Sequence, residues 1–289
     1  MKHALPTLIA AALLAGCNSN TIFGHPVGPP PLIYVANNTK VFVFDFQGNP
    51  ATVSGTFPNT NFPDDVVYNP TNGFLYVANS GNDTITVYDL QGNQQTVSGT
   101  FAGVSSPRGM TYDPANGLLY VANNSSIITA YDKNGNLQTL TGGFLGLNGP
   151  EAIAYDSANG FLYVVNFFGP MTVYDQQGNL QTTTGAFTGS TQSCGVVFAP
   201  TTGHIYANGC SPTGPWHVYD AQGNTVTISG TFPNSTSPRI TFYYARGDSI
   251  YVPEQGGTKV NNYDPSGNQQ PLSGSFAGLT NPFGLTVAP

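Results

Sequence analysis

Charged side chains are scarce in this sequence, so those outside its repeating pattern are the first candidates for chemistry. Only 7% of the 289 residues are Asp, Glu, Lys or Arg. Six aspartates recur at equivalent turns, where short carboxylates cap backbone amides, and we interpret these as structural. They are Asp45, Asp89, Asp132, Asp175, Asp220 and Asp264. The remaining acids and bases are unevenly placed, which points to a site.

The repeating pattern is a unit of about 43 residues that occurs six times. Each copy opens with a tyrosine in an apolar run and continues to an Asp-x-x-Gly-Asn turn. The opening tyrosines are Tyr34, Tyr76, Tyr120, Tyr163, Tyr206 and Tyr251. A period in the forties made of four short strands is typical of a β-propeller blade, because one blade cannot bury both of its faces alone. The sequence therefore predicts an all-β protein.

The two ends of the chain predict how the ring of blades closes. In the third copy, strand A starts at Pro107, strand B at Leu118 and strand C at Ser126, and strand D ends near Phe144. The first copy begins at strand B with Leu32, whereas a spare strand A begins at Pro282. Pairing the two removes an open strand edge. We predict a six-bladed β-propeller of four-stranded blades over residues 32–289, with the first blade closed by the C-terminal strand.

The residue after each strand-A proline, or its equivalent, should ring the mouth of the central channel. This end, formed by the D–A and B–C connections, is called the top face. In blade order the ring carries Asp64, Arg108, Glu151, Cys194, Arg239 and Phe283. A mixed-charge ring in so uncharged a protein suggests a binding site. Alternatively, Arg108 with Glu151, and Arg239 with a neighbouring acid, pair across adjacent blades and only seal the ring.

Other side chains outside the repeat also map to the top face. They are Phe62, Phe167, Phe168, Trp216, His217 and Glu254. Aromatic faces beside polar groups suit a sugar, a peptide or a small cyclic ligand, and also a protein partner. Trp216 has a second interpretation as an anchor for the longest B–C loop. His217 is the single histidine near the top face that could act as an acid or base, although a lone strand histidine is more often structural.

The three cysteines are predicted to have two different roles. Residues 1–17 form a charged start and a short apolar run that ends in Leu14-Ala15-Gly16-Cys17, which resembles a bacterial lipobox. This resemblance implies a signal peptide, lipidation at Cys17, a Pro-rich tether over 18–31, and anchoring at the outer membrane or cell surface. An ordinary secretion signal is the alternative. Cys194 and Cys210 fall on neighbouring strands, and an exported protein meets an oxidising compartment, so we expect a disulfide.

The Tyr-Val-Ala-Asn tetrads at Tyr34, Tyr76 and Tyr120, with Pro-x-Gly openings at Pro107 and Pro282, resemble the NHL and YVTN class of propellers. This class includes surface-layer proteins, protein-binding platforms, lactonases and a lyase that opens cyclic depsipeptides. The resemblance is informative about fold rather than function.

Recognition without catalysis is the function that we predict from the sequence. The net charge of −7 argues against nucleic acid, which needs a basic surface. We expect a protein, peptide or glycan partner at the cell envelope, contact with the membrane through the lipid anchor only, and no cofactor. The first alternative is a lactonase-like or lyase-like enzyme with Glu151, Asp64 and His217 around a divalent cation. The second is a passive structural protein of the envelope.

Overall fold

All regular structure in the described part of the chain is β-strand. The computed structural model describes residues 21–22, 25–26, 30–211 and 214–289, and no helix in them is long and apolar enough to cross a membrane. The leader and Cys17 lie outside the described residues. The strands are β1 (Thr21–Ile22), β2 (His25–Pro26), β3 (Leu32–Asn37), β4 (Lys40–Phe44), β5 (Pro63–Asn69), β6 (Phe74–Asn79), β7 (Thr84–Tyr88), β8 (Gln94–Gln95), β9 (Pro107–Asp113), β10 (Leu118–Asn123), β11 (Ile127–Tyr131), β12 (Pro150–Tyr155), β13 (Leu162–Asn166), β14 (Gly169–Tyr174), β15 (Ser193–Ala199), β16 (His204–Gly209), β17 (Trp216–Tyr219), β18 (Phe242–Tyr244), β19 (Ser249–Pro253), β20 (Val260–Tyr263) and β21 (Pro282–Ala288).

Within residues 31–288, the described strands form six antiparallel sheets, one for each copy of the repeat. Their orders are β21-β3-β4, β5-β6-β7-β8, β9-β10-β11, β12-β13-β14, β15-β16-β17 and β18-β19-β20. Hairpins join the first and second strands, and a glycine closes several of them at positive φ, as Gly117 does at 75°. The short pair β1-β2 belongs to a separate unit.

The C-terminal strand completes the sheet that begins the repeats. β21 pairs antiparallel with β3, in a register that sets Ala288 opposite Leu32 and Leu285 opposite Val35. The first strands of neighbouring sheets also contact one another in one cycle, β5 to β9, β12, β15, β18, β21 and back to β5. This approach is so close that a Cβ on Gly284 would collide with Asp65. The sheets therefore surround a common axis.

The fourth strand of each repeat is the main difference from the sequence prediction. A two-residue strand, β8, is present in one sheet, and a single β-bridge such as Tyr131 to Leu137 takes its place in the other five. The chain then leaves its own sheet and bonds to the next. In the second copy, the Gly99 amide donates to Asn134 O and the Phe101 amide donates to Gly135 O, both in the turn of the third copy.

This contact, which we call the Gly-x-Phe latch, recurs between every pair of neighbouring copies. In it, the Gly and Phe amides of one copy donate to two consecutive carbonyls of the next copy's Asp-x-x-Gly-Asn turn. The latches are Gly55-Phe57, Gly99-Phe101, Gly142-Phe144, Gly185-Phe187, Gly230-Phe232 and Gly274-Phe276. The last of these bonds to Gln47 and Gly48 of the first copy. The outer segments thus connect sheets rather than widen them.

The apolar core lies between adjacent sheets. The opening tyrosine of each copy is nearly inaccessible, and in five of the described copies its hydroxyl donates across to a turn carbonyl of the next copy, as from Tyr76 to Lys133 at 2.6 Å. Burial raises the pKa of Tyr120 and Tyr163 to about 12. Each opening tyrosine therefore contributes a packed ring and a polar contact to the same interface.

Candidate functional site

A β-bulge lies next to five of the six residues of the predicted ring. In five sheets the pairing register shifts just after the start of the first strand, as between Pro63 and Asp65 of β5. The extra residue at a bulge is unpaired, and its side chain is aimed away from the regular alternation. In the sixth sheet, Arg239 follows the β-bridge between Pro238 and Glu254. The ring residues are Asp64, Arg108, Glu151, Cys194, Arg239 and Phe283.

Asp64 and Arg108 form the single ion pair among the described residues. The Arg108 Nη1 atom lies 2.6 Å from Asp64 Oδ2, between neighbouring sheets. Asp64 is 3% exposed, and burial raises its pKa while the guanidinium of Arg108 opposes that rise. The predicted pairing of Arg108 with Glu151 is not formed, because Arg108 turns to the carboxylate on its other side. This ion pair links the second and third copies at the ring.

Glu151 is the next residue of the ring, and no cationic side chain in the described part of the chain lies at ion-pair distance from it. Its carboxylate accepts a hydrogen bond from Asn124 Nδ2 at 3.0 Å, and the residue is half-buried. Burial raises the pKa of Glu151, and the positive charges of Arg108 and Arg239 partly offset that rise. Asn124, the second asparagine of the Ala122-Asn123-Asn124 run, was not among the residues predicted from the sequence. Glu151 therefore keeps free acceptor capacity at the channel mouth.

Arg239 has no carboxylate at ion-pair distance among the described residues. Its Nη1 donates to Cys194 Sγ at 2.7 Å, and its guanidinium lies 5.8 Å from the ring centroid of Phe283. Burial lowers the pKa of Arg239, with Glu151 and Asp64 acting in the opposite direction. The Nε atoms of Arg108 and Arg239 are both buried without a hydrogen-bond partner. Among the described residues, the alternative pairing of Arg239 with a neighbouring acid is therefore not formed.

Cys194 and Cys210 form a disulfide, with their Cα atoms 5.0 Å apart. The bond ties the ring position Cys194 to the end of β16. Backbone contacts add to it, since the Cys210 amide donates to Gln192 O at 2.9 Å. The disulfide therefore holds one side of the channel mouth in place.

Trp216 and His217 lie on β17, the third strand of their sheet, away from the ring. Trp216 stacks on Phe232 at 4.0 Å between centroids, and its indole donates to Ser235 Oγ. These contacts hold Trp216 against the Phe232–Ser235 segment, and its role as an anchor for the B–C loop stays a prediction. His217 stacks against Tyr219, and burial lowers its pKa, so the imidazole is held neutral. None of these contacts reaches a ring residue.

Glu254 does not fit the prediction that it binds a ligand on the top face. It is 0% exposed and accepts from the amides of Thr236 and Ser237 and from Asn261 Nδ2. It directly follows β19, at the position equivalent to Asn79, which accepts a hydrogen bond from the Asn61 amide in another copy. The repeat pattern contained this signal, because Glu254 follows its tyrosine by the same three residues as Asn79. Glu254 is structural in this geometry.

The phenylalanines of the top face are more open. Phe167 and Phe168 contact each other at 4.9 Å between centroids, and Phe168 is 67% exposed. Phe62 is 55% exposed in a different connection. Neither Phe168 nor Phe62 belongs to the ring, so these side chains offer contact area near the mouth rather than part of it.

The donors around the mouth do not fit the divalent cation of the enzyme alternative. The described residues contain no group of three or more His, Cys, Asp or Glu side chains that could hold a metal ion. His217 lies on another strand, and the carboxylate of Asp64 is already bonded to a guanidinium. What the mouth offers instead is one free carboxylate with two guanidinium groups.

Comparisons with known proteins agree with the architecture. Residues 37–143 match the family model described as lactonase, 7-bladed β-propeller. The structure is similar to a chain of the nidogen/laminin complex, with a TM-score of 0.69 and 15% identity over 90% of this chain and 98% of that one. No curated protein matches the sequence.

Two further similar structures are proposed 6-phosphogluconolactonases. The protein from Bacteroides fragilis has a TM-score of 0.59 and 14% identity, over 90% of this chain and 98% of that one. The protein from Bacteroides uniformis has a TM-score of 0.58 and 12% identity, over 90% and 100%. The chain is a β-propeller protein.

Proposed function

We propose that this chain is a six-bladed β-propeller that hydrolyses a lactone at its upper channel mouth. Six described sheets in one cycle of contacts support the blade count, whereas the matching family is described as seven-bladed. The lactonase match and the two proposed 6-phosphogluconolactonases favour the enzyme alternative. Recognition without catalysis was the main prediction from the sequence. The proposal does not include the divalent cation.

The main support for this proposal is that Glu151 and Arg239 belong to the same ring and do not form an ion pair with each other. In a chain whose described residues contain a single ion pair, a half-buried carboxylate and a half-buried guanidinium both remain available at the mouth. Their opposite charges suit the two demands of lactone hydrolysis. Water must lose a proton, and negative charge must be stabilised on the carbonyl oxygen.

The proposed reaction uses Glu151 as general base and Arg239 as oxyanion stabiliser. The carboxylate of Glu151 accepts a proton from water, whose oxygen attacks the carbonyl carbon of the lactone. The guanidinium of Arg239 donates to the resulting oxyanion. The bond between the carbonyl carbon and the ring oxygen then breaks, and the ring oxygen takes the proton from Glu151 to give the open hydroxy acid. Asp64 holds Arg108 in place beside this centre.

A lactone that carries an acidic group fits this mouth best. The side chains of Arg108 and Arg239 are both partly exposed. Arginine recognises carboxylate and phosphate through paired donors. With Arg239 at the carbonyl, Arg108 is the residue that we propose to bind the acidic group. The Phe283 ring, whose centroid lies 5.8 Å from the Arg239 guanidinium, adds apolar surface beside it.

The test measures the hydrolysis of a panel of lactones through the release of protons, with the rate of spontaneous hydrolysis subtracted. The panel contains gluconolactone, 6-phosphogluconolactone and uncharged γ-lactones. We expect turnover by the wild type, a loss of about 10²–10⁴-fold in Glu151→Gln, and a loss of about 10²–10³-fold in Arg239→Gln. Arg246→Gln, at an exposed arginine in the β18–β19 hairpin, is the matched control. Activity that survives Glu151→Gln, or no turnover of any member, refutes the proposal.

The pH dependence gives an independent measure of the same role. Because burial raises the pKa of Glu151 above its ordinary value of 4.5, the base is protonated, and activity lost, at a higher pH than for a free glutamate. An acid limb that follows an unshifted carboxyl contradicts the assignment of Glu151 as the base.

Binding without chemistry is the second candidate, and the exposed Phe168 and Phe62 favour it. Under it, a protein, peptide or glycan of the envelope docks on the top face. Saturable glycan or peptide binding that Phe168→Ala weakens and Glu151→Gln leaves unchanged, with no lactone turnover, would establish it. The passive structural function is left if neither turnover nor binding is found.

Location at the cell envelope through a lipid on Cys17 is also a proposal, and it rests on Leu14-Ala15-Gly16-Cys17. Expression in bacteria with an alkyne fatty acid tests it. We expect label and membrane association in the full chain, and neither in Cys17→Ala. Equal label in both chains excludes lipidation at this residue.

A further inference from the structure

A second cavity lies below the ring, inside the cycle of first strands. Its volume is ≈ 360 Å³, which is within the usual range for small-molecule sites. None of the six ring residues lines it. Its lining includes Pro70 and Pro114 of two first hairpins, so it reaches the end of the molecule opposite the top face. This cavity is therefore distinct from the lactone site.

Asp65 is the one acidic residue in the lining of the cavity, and it has no role in the mechanism above. The side chain is 1% exposed, and its two oxygens accept from the amides of Val66 and Met110, both at 2.8 Å. A carboxylate can accept about four hydrogen bonds, so each oxygen retains capacity. No cationic side chain lies within ion-pair distance of Asp65 among the described residues. A buried charge without a partner is costly, and a cation in the cavity would relieve that cost.

Aromatic residues form much of the remaining wall. They are Tyr68, Tyr112, Tyr155, Phe198, Phe242 and Tyr243. Two of the tyrosine hydroxyls are bonded away from any ligand, Tyr243 to Asp248 and Tyr112 to Thr71. The other lining positions are chiefly Val, Ile, Leu, Ala and Thr, and none is Lys, Arg or His. Aromatic walls attract a cation through the negative face of each ring.

We propose that this cavity binds an organic ammonium ion, with the ammonium at Asp65 and its apolar body against the aromatic wall. Each part of the ligand matches one part of the site. The ammonium supplies the positive charge and the donors that Asp65 lacks, and a hydrocarbon or aromatic body fills a cavity that is apolar on most sides. An anion would meet an uncompensated carboxylate, and a neutral molecule would leave its charge buried.

Burial raises the pKa of Asp65 well above its ordinary value of 3.8 in the empty cavity, and the neighbouring charge of Asp64 acts in the same direction. Tyr68, Tyr112, Tyr155 and Tyr243 are the other titratable groups of the lining. Ammonium binding should therefore weaken as the pH is lowered and Asp65 takes up a proton. Binding of the cation releases that proton.

The test is calorimetry on the full chain with three ligands of similar shape. Phenethylammonium is the cation, 2-phenylethanol the neutral match and 3-phenylpropanoate the anion. We expect phenethylammonium to bind at least about tenfold more tightly than the alcohol or the carboxylate, because a charge-assisted hydrogen bond contributes about that much to the affinity. Propylammonium and tryptammonium extend the series in size. The proposal is overturned if no ammonium binds below about 1 mM, or if the alcohol binds as tightly.

Three variants test whether the ammonium ion binds in this cavity. Asp65→Asn should lower the affinity for the cation by about tenfold or more and leave that for the alcohol unchanged. Thr111→Trp, at a half-buried lining position, should abolish binding by filling the space, and it keeps the test valid if Asp65→Asn does not fold. Phe62→Ala, an exposed aromatic of the top face, is the control. Cation binding that persists in Thr111→Trp overturns the proposal.

Discussion

The latch between the last and first copies makes a quantitative prediction about how the ring is held closed. The Phe276 amide donates to Gly48 O at 2.9 Å, and its ring contacts Phe44 at 4.9 Å between centroids. The side chain is 2% exposed. Phe276→Ala keeps the backbone bond and removes the buried ring. Truncation of a buried phenylalanine costs about 3–5 kcal/mol of the free energy of unfolding.

The assay is thermal and urea denaturation of the wild type and the variant under identical conditions. For a domain of this size, each 1 kcal/mol lowers Tm by about 2–4 °C, so a loss of about 6–20 °C is expected. Phe101→Ala removes the equivalent ring between the second and third copies and is the matched variant. Leu145→Ala, at a side chain that is 70% exposed, should stay within about 0.5 kcal/mol of the wild type.

Two results would contradict this reasoning. If Phe276→Ala is as stable as the wild type while Phe101→Ala is destabilised, the latch from the sixth copy to the first does not contribute to stability. If both variants are as stable as the wild type, the Gly-x-Phe segments are surface features. Similar losses in both support a ring in which every interface between copies is equivalent.

Three further predictions concern closure, the disulfide and pH. Deleting residues 282–289 removes β21 and exposes the edge of β3, so Tm should fall sharply; an unchanged transition refutes closure by this strand. Replacing Cys194 and Cys210 together with serine opens a loop with a sequence separation of 16, which should cost about 3 kcal/mol in urea denaturation, and a loss near zero contradicts it. Because the pKa of Asp65 is raised in the folded state, the folded chain binds this proton more tightly than the unfolded chain. The contribution of Asp65 to the free energy of unfolding therefore declines as the pH rises from 3.8 through the raised pKa. Asp65→Asn should lack this decline, and identical pH slopes for the two chains in urea titrations would exclude the effect.

The repeat and its consequences were predictable from the sequence. Tyrosines and Asp-x-x-Gly-Asn turns in constant register identify six copies, because a repeated packing interface demands the same residues at the same spacing. The strand missing before Leu32 and the spare strand at Pro282 likewise predicted the pairing of β21 with β3. Hairpin alternation also brought Cys194 near Cys210.

The outer segments were predicted as fourth strands, but their bonding depends on a neighbouring copy. Gly142 and Phe144 bond to Gln177 and Gly178, which are about 35 residues away in sequence and belong to the next sheet. Strand propensity contains no information about which edge a segment will meet.

The sequence alone determined which side chains share the channel mouth, and the tertiary structure decided how they are partnered. The repeat places Asp64, Arg108, Glu151 and Arg239 at one level, since a bulge follows the same position in most copies. Arg108 has an acid at the equivalent position on each side, Asp64 and Glu151, and only packing resolves the contact in favour of Asp64. Glu254 became structural for the same reason, because burial satisfied its oxygens with backbone donors. Asp65 is a different case, because it is next to the ring residue Asp64 in sequence but lines the cavity below the ring.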